Sequence, residues 1–358
     1  MKTTPAGNFL RKGRTYTPMK LLTVTVPCYN SAAYMRKCID SLLVGGNKME
    51  IIVINDGSKD DTGVIADEYA EKYPDIVRAV HQPNGGHGEG INQGVAHATG
   101  RYFKVVDSDD WVDKDALFAV LERLESAEAE GGIDMLVTNY VYEYEDGRKS
   151  DCIRYGNVFP EEGKIVSWGR TRRFRLKQYI TLHSVIYRTE ILQEMNYKLP
   201  GHISYEDNLY IYAPLPRVKR LCYLDADFYR YLIGRDGQSV SEKNMIRKSP
   251  DQRLVTERVF GLYDLEAIKK ESPELYRVMW HEMWLMMSIG SLFTRLGNSD
   301  ECDREMFAMW DRCREKNPRE VKRLRRRGML AFICIPGRLG RALAIFFYRV
   351  AHGVVNFN

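Results

Sequence analysis

Three carboxylates, Asp107, Asp109 and Asp110, fall within four residues where the stretch RYFKVVDSDDWVDKD ends a short apolar run. Like charges this close raise one another's cost of ionising unless a cation or strong donors offset it, so packing alone gives no reason for them. Carboxylate oxygens are hard ligands suited to magnesium or manganese, which bind through one or two carboxylates together with substrate phosphates. Asp107 and Asp109, with Ser108 between them, therefore read as a metal and phosphate site, although Asp-x-Asp taken alone also arises by chance in acidic loops.

A second polar cluster lies in IIVINDGSKDDT. Asn55, Asp56 and Gly57 are compatible with a simple turn in which Ser58 or Asp60 caps the next helix. The turn does not account for Asp56, whose carboxylate would lie at the sheet edge, able to accept a hydrogen bond from a base N–H. The run PNGGHGEG supplies glycines whose missing side chains let backbone approach a ligand closely. It matches GxGxxG in no register, which disfavours a dinucleotide-binding motif.

The elements that must position these residues follow from the alternation of LLTVTVP, SAAYMRKCIDSLL, EIIVIND, DDTGVIADEYAEKY, IVRAVHQ, EGINQGVAHAT, YFKVVD and KDALFAVLERLESA. Strand followed by helix, four times over, predicts a mostly parallel sheet with helices on both faces. In such sheets ligands bind beyond the carboxyl ends of the strands, and PCYN, NDGS, PNGGHGEG and DSDD each fall at such an end. Residues 133–235 carry further strand-like runs that extend the same sheet. Beyond about 243, apolar residues recur at helical spacing, which predicts a helical subdomain over 243–327 whose Met and Trp stripe at 279–287 is core.

Composition excludes several classes. The 358 residues are 44% hydrophobic and 28% charged, as in a globular protein with a large core, and 53 basic against 48 acidic residues give no ground for a nucleic-acid partner. Seven scattered cysteines without a CxxC pair indicate neither a disulfide framework nor a zinc site, so a reducing cytoplasm is the expected location. The first 19 residues read as a flexible segment without the apolar centre of a signal peptide, and no stretch reaches the ~18 apolar residues of a membrane span. The tail 328–358 is basic and then apolar, interrupted by Pro336, Arg338 and Arg341. It is expected either to pack on its own domain or to lie as an amphipathic helix on an anionic membrane surface, the latter because Arg-rich flanks adjoin Phe346, Phe347 and Tyr348.

The motifs VTVPCYN, IIVINDGSKDDT, NGGHGEGINQGVAHATGRYFKVVDSDDWVD, ISYEDNLYIYAPL and YLIGRDGQSVS, in that order, resemble the motif set of the family 2 inverting glycosyltransferases. The resemblance covers about residues 20–241 and implies a GT-A catalytic domain over 20–242. It implies that Pro27, Tyr29, Asn30 and Asp56 form the nucleotide pocket, with Asp56 the partner of a uracil ring. Asn84, Gly85 and Gly86 would line the donor, Asp107 and Ser108 would meet the ribose, and Asp107 and Asp109 would hold Mn2+ or Mg2+ on the diphosphate. Asp207 would be the general base with Glu206 beside it, and Arg235, Gln238 and Ser239 would close over the diphosphate. Many members read Ala-Arg-Asn where this chain has Gly90, Ile91 and Asn92, which removes a basic donor contact and leaves the leaving group to the cation and Arg235.

Apart from the resemblance, Glu206 and Asp207 also read as acids opening a helix, where the dipole favours them. Arg235 and Ser239 also read as turn residues, and His87 and His202 as structural histidines. A phosphohydrolase of the haloacid-dehalogenase type would need Thr or Val where Trp111 stands, and a non-catalytic sugar-binding relative would not need four retained acids. The sequence thus points to a metal-dependent, hexosyltransferase-like enzyme that moves a sugar from a nucleotide donor, a UDP-sugar, to a hydroxyl of a cell-surface glycan or lipid-linked acceptor. It would work in the cytoplasm or at the inner face of the membrane.

Overall fold

The structure is a computed structural model that describes residues 19–175, 178–234 and 241–354, with side chains as far as residue 350. Its first half alternates β1 (Leu22–Cys28), α1 (Met35–Leu43), β2 (Met49–Asp56), α2 (Thr62–Lys72), β3 (Val77–Gln82), α3 (His87–His97), β4 (Tyr102–Val105), β5 (Trp111–Val112) and α4 (Lys114–Ala129). There follow β6 (Met135–Tyr144), β7 (Asp151–Ile153), β8 (Ile165–Val166), β9 (Val185–Arg188), α5 (Thr189–Met195), α6 (Asp207–Tyr212) and β10 (Leu221–Ile233). The sheet order is β3-β2-β1-β4-β9-β6-β10-β5, with β7 on β6 and β8 on β10. The long pairings, β1 with β2 and β6 with β10, are parallel, whereas β9 joins the two halves through short antiparallel ladders.

Every residue of β1 is buried, as a parallel strand covered on both faces requires. The helices that cover it bury one stripe each: α1 turns Met35, Cys38, Ile39 and Leu42 inward, a helical period. Asp113 starts α4 by accepting from the backbone N–H of Asp115 and Ala116. One strand residue breaks the apolar pattern. Lys104 of β4 is fully buried and donates from Nζ to the carbonyls of Leu182 and His183, at 2.6 and 2.8 Å.

The C-terminal part consists of α7 (Glu242–Arg247), α8 (Ser249–Leu262), α9 (Leu265–Glu271), α10 (Pro273–Leu296), α11 (Asp300–Lys316), α12 (Pro318–Leu324), α13 (Met329–Ile333) and α14 (Gly337–Val354). Met279, Met283, Trp284, Met286 and Met287 of α10 are buried, so the Met and Trp stripe is core. No helix among the described residues is long and apolar enough to cross a membrane. The expected flexible segment falls, but for Met19, outside the described residues.

Helix α14 divides its residues between the protein and its surroundings. Arg341 is buried and bonds Asp303 at 3.0 Å and Asp300 at 2.8 Å, Ala344 is buried, and the Tyr348 hydroxyl donates to Glu242 at 2.9 Å. Arg341, which interrupts the apolar tail in the sequence, anchors the helix to α11. Asp303 also lies 3.2 Å from Nε of the fully buried Arg295, close enough to pair charges although the N–H is not aligned on it. Replacing Asp303 leaves the buried Arg295 guanidinium without a carboxylate and removes one of the two acids that hold Arg341, which loosens α14. Asp303→Ala should therefore cost ~3–5 kcal/mol in urea unfolding and speed tryptic cleavage within α14.

Candidate active site

The first ingredient is the loop after β3. The Asp56 carboxylate, at the end of β2, accepts from Gln82 Nε2 at 2.6 Å and from the backbone N–H of Gly85 and Gly86 at 2.7 and 2.8 Å. Asn84 closes the loop by donating from Nδ2 to the Asp56 carbonyl at 2.9 Å. With 3% exposure, Asp56 is turned into the loop rather than held open, and one acceptor position on Oδ2 is left for a ligand. Pro27 is buried in β1, whereas Tyr29 and Asn30 stand exposed beyond its end. Asn30, in the left-handed region at φ 51°, ties to the β2 loop by accepting from Lys59 N. Ser108 meets Ser31 at 2.8 Å, joining the ends of β4 and β1.

The glycines of this loop also permit a close contact within the protein. A Cβ on Gly86 would stand 2.5 Å from the backbone N of His202, and one on Gly88 would stand 2.5 Å from the Pro200 carbonyl. A side chain at either position would collide with residues 199–206, so the loop's docking requires them to be small. The docking is closed by a hydrogen bond from His202 N to the Gly85 carbonyl at 3.1 Å. His202 and Tyr205 hold left-handed φ of 53° and 68°, each costing ~1–2 kcal/mol, so the approach to Glu206 is strained.

That docking brings His87, the first residue of α3, between two acids. Its Nδ1 is 2.7 Å from Glu206 Oε1 and its Nε2 is 2.9 Å from Asp107 Oδ1. Burial opposes a charge on the imidazole, but the bonds to Asp107 and Glu206 outweigh it and hold its pKa well above the ordinary range. Burial likewise opposes ionisation of Asp107, and the His87 bond reverses this and pulls it below the usual value. Asp207, next to Glu206 and half-buried, is pushed up to about 7, first by burial and then by the Glu206 charge. One imidazole thus joins the end of β4 to the start of α6.

On the far side of Asp107 the chain forms a turn, Asp110 N–H donating to the Asp107 carbonyl at 3.0 Å. This i to i+3 closure brings Asp107 and Asp110 together. The ligand atoms of Asp107, Asp110 and His183 all lie within 4.8 Å of one another. Spacing in the sequence points to Asp107 with Asp109; the trio that meets takes Asp110 and His183 with Asp107, and Asp109 stays half-buried beside it. Asp110 accepts from Tyr229 Oη at 2.7 Å and from Leu232 N at 2.9 Å. Burial and the Asp107 charge push Asp110 well above the carboxylate range, a repulsion that a cation would reverse.

The donor set fits a divalent ion. His183 Nδ1 is buried without a hydrogen-bond partner among the described residues, and burial lowers this imidazole to about 4, so it is neutral and ready to ligate. Two carboxylates with one imidazole suit manganese or magnesium, with open positions for phosphate oxygens.

Residues 23–194, from β1 to the last turn of α5, match the sequence model of glycosyl transferase family 2. Over those residues the chain is similar to glycosyl transferase family 2. Among curated proteins it is similar to the putative glycosyltransferase EpsH of Bacillus subtilis, 30% identical over 226 residues, which are 61% of each chain. It is 28% identical over 277 residues to the uncharacterized glycosyltransferase EpsJ of the same organism, covering 75% of this chain and 77% of that one. Glycosyltransferase GlyA of Streptococcus pneumoniae is 27% identical over 61% of this chain, and the match spans 31% of GlyA. The chain therefore spans less than two thirds of the length of EpsH and about a third of GlyA.

Residues 1–349 of S. aureus TarS, solved with UDP-GlcNAc, align over 92% of both chains with a TM-score of 0.66 and 21% identity. The mannosyltransferase PcManGT of Pyrobaculum calidifontis, solved with GDP-Man and Mn2+, aligns over 96% of this chain and 89% of that one, with a TM-score of 0.50 and 14% identity. These likenesses establish the GT-A fold, an α/β sheet followed by C-terminal helices. Ile91 at the departing Gly90-Ile91-Asn92 is buried, so no basic side chain enters the cleft from there. Arg235, Gln238 and Ser239 lie outside the described residues.

Asp110 was visible in the sequence only as one acid among three. His183 and Tyr229 carried no signal, being a lone histidine and one tyrosine of 22. Lys104 did carry one, a charge inside an otherwise apolar strand. If the trio holds the ion, Asp110→Asn and His183→Ala should each weaken manganese binding by at least the ~10-fold that loss of an outer-shell partner costs. Calorimetry with the donor absent, and Asp109→Asn alongside, checks which acid pairs with Asp107.

Proposed function

We propose that this chain transfers a sugar from a nucleotide-diphosphate donor, a UDP-sugar, to a hydroxyl of a cell-surface glycan or lipid-linked acceptor, with inversion at the anomeric carbon. The observation that carries the reading is the His87 bridge, because it ties the diphosphate side of the cleft at Asp107 to the acid pair Glu206 and Asp207. TarS with UDP-GlcNAc and PcManGT with GDP-Man support a nucleotide-sugar donor on this fold.

In this reading the remaining acceptor position of Asp56 meets the base, Pro27, Tyr29 and Asn30 flank it, and Asn84 with Gly85 and Gly86 forms the wall. Ser108 lies toward the ribose, and Asp107 with Asp110, His183 or Asp109 holds the ion. Mn2+ or Mg2+ bound there supplies neutralisation of the diphosphate charge that grows as the glycosidic bond breaks. Arg235, Gln238 and Ser239 are assigned to the loop over the diphosphate by resemblance alone. Asp207 accepts the proton of the acceptor hydroxyl as it attacks from the face opposite the leaving group. Glu206, held by His87, keeps Asp207 in place and, through its charge, keeps it a stronger base.

The raised pKa sets a sign for the pH profile. Below about 7 Asp207 carries a proton and cannot accept another, so the rate of transfer should climb tenfold per unit toward pH 7 and level above it. Asp207→Asn should lose at least ~100-fold in transfer and the pH limb with it, while UDP affinity measured by calorimetry stays within about threefold. Equal loss of both would show that Asp207 serves binding instead. UDP release from a panel of UDP-sugars with manganese, compared with phosphate release from small phosphate esters, separates transfer from phosphohydrolysis.

The same reading places the chain at the inner face of a membrane. Phe346 and Phe347 of α14, 58% and 48% exposed, stand with Phe332 and Leu339 on one side of the tail, and Arg325, Arg326 and Arg327 are exposed just before it. Apolar side chains with a basic flank are what an anionic interface attracts. Phe346→Ser with Phe347→Ser should reduce co-sedimentation with vesicles containing phosphatidylglycerol and leave donor hydrolysis unchanged; undiminished sedimentation would remove the membrane assignment.

A further inference from the structure

A recess of about 690 Å³ lies between the segment before residue 175, helix α10 and helix α12. Among the described residues its wall has no acidic residue and is dominated by guanidinium groups. Arg277 and Arg319 lie 3.6 and 3.9 Å from Glu274 and Glu266, and Arg323 pairs with Glu266 and Glu320. Arg172, Arg173, Lys322, Arg326 and Arg327 have no carboxylate within ion-pair distance among the described residues. The floor is aromatic: Phe174 stacks on His281 at 5.3 Å, and the Arg327 guanidinium sits 4.9 Å from the Trp280 ring centre.

Five uncompensated cations around one concavity repel one another, and a recess focuses their field on whatever enters it. Guanidinium groups pair bidentately with phosphate, which favours arginine wherever phosphate is recognised. The concave form suits a discrete ligand better than a bilayer plane, and the volume lies within the range of small-molecule sites. The recess is also wired to the cleft. His281 Nε2 bonds the Gln178 carbonyl at 2.8 Å, and Ile180 N donates to Glu282 of α10 at 3.0 Å. Between them Tyr179 has its phenol pushed well above its ordinary value, first by burial and then by charges that include Asp207. The five steps from Phe174 to Tyr179 span at most ~18 Å even fully extended.

We propose that this recess binds a ligand carrying two or more phosphate groups, on the acceptor side of the transfer reaction. The acceptor assignment rests on the transferase reading; the anion site stands on the recess itself. A sugar chain whose phosphates sit among the arginines would extend along residues 178–180, which α10 holds, toward the cleft.

Sodium tripolyphosphate, titrated calorimetrically into the full chain in the presence of chelator, tests the site. One ligand should bind per chain, weakened at least about tenfold by Arg172→Gln with Arg326→Gln. Lys243→Gln with Arg304→Gln removes the same charge from exposed positions outside the recess and should leave binding within about twofold. No binding, equal weakening by both pairs, or no weakening by the first overturns the proposal. Arg173→Gln with Lys322→Gln replaces the first pair if that pair lowers the melting temperature. Vesicles of phosphatidylcholine with phosphatidic acid separate the sources. Vesicle binding that falls with Arg172→Gln and Arg173→Gln, which spare the Arg325–Arg327 flank, marks a lipid-borne phosphate, and vesicle binding that does not fall, with tripolyphosphate binding lost, marks a soluble or polymeric one. Donor hydrolysis should survive in the recess variants. Its absence from the unaltered protein, with tripolyphosphate still bound, would end the transferase reading and leave the anion site standing.

Discussion

The cleft depends on one imidazole between two carboxylates. Asp107, Asp109 and Asp110 at the end of β4 and Glu206 with Asp207 at the start of α6 form two acidic groups that would repel each other if brought together alone. His87 lies between them and bonds one acid from each. Its own position is set by Asp56, which fixes the backbone of Gly85 and Gly86 immediately before α3. The glycines are needed because the loop must touch residues 199–206 closely enough for that bridge to form. Asp56, the glycine loop, His87 and the acid pair are therefore one chain of dependence, and a side chain at Gly86 or Gly88 would strain all of it.

A second chain of dependence ties the helical part to the sheet. Lys104 holds the carbonyls of Leu182 and His183, which sets His183 beside Asp107, while burial lowers the lysine to about 7 against the opposing pull of Asp107 and Asp110. The same segment is gripped from outside by His281 and Glu282 of α10. Helix α10 thus forms both the back of the arginine recess and the support for the segment that carries His183 to Asp107 and Asp110. The C-terminal helices are continuous with the machinery and are not a separate appendage. Helix α14 follows the same economy of use: Arg341 and Tyr348 hold it down, and Phe346 and Phe347 are left outward.

Much of this could be read from the linear chain. Apolar alternation separated by helical periods indicates the parallel strands, because strands buried on both faces must be apolar throughout. Polar clusters that follow each strand then fall at one edge by geometry alone. Spacing reached its limit at Asp109, because whether Asp107 meets Asp109 or Asp110 depends on a turn closed by a single backbone hydrogen bond. His87 was legible as a histidine with little to pack on, but its two partners are 20 and 119 residues away.

What the sequence determined by itself is the order of elements, the faces they bury and the set of acids available at the strand ends, since these follow from local periodicity and residue chemistry. Tertiary structure decided which of those acids meet, that the glycines serve docking, that Asp56 is engaged by backbone, and that scattered arginines from residues 172 to 327 surround one recess. The physical reason is that charge pairing and desolvation act through distances in space, and the chain reveals those distances only when the fold has closed the long loops between their members.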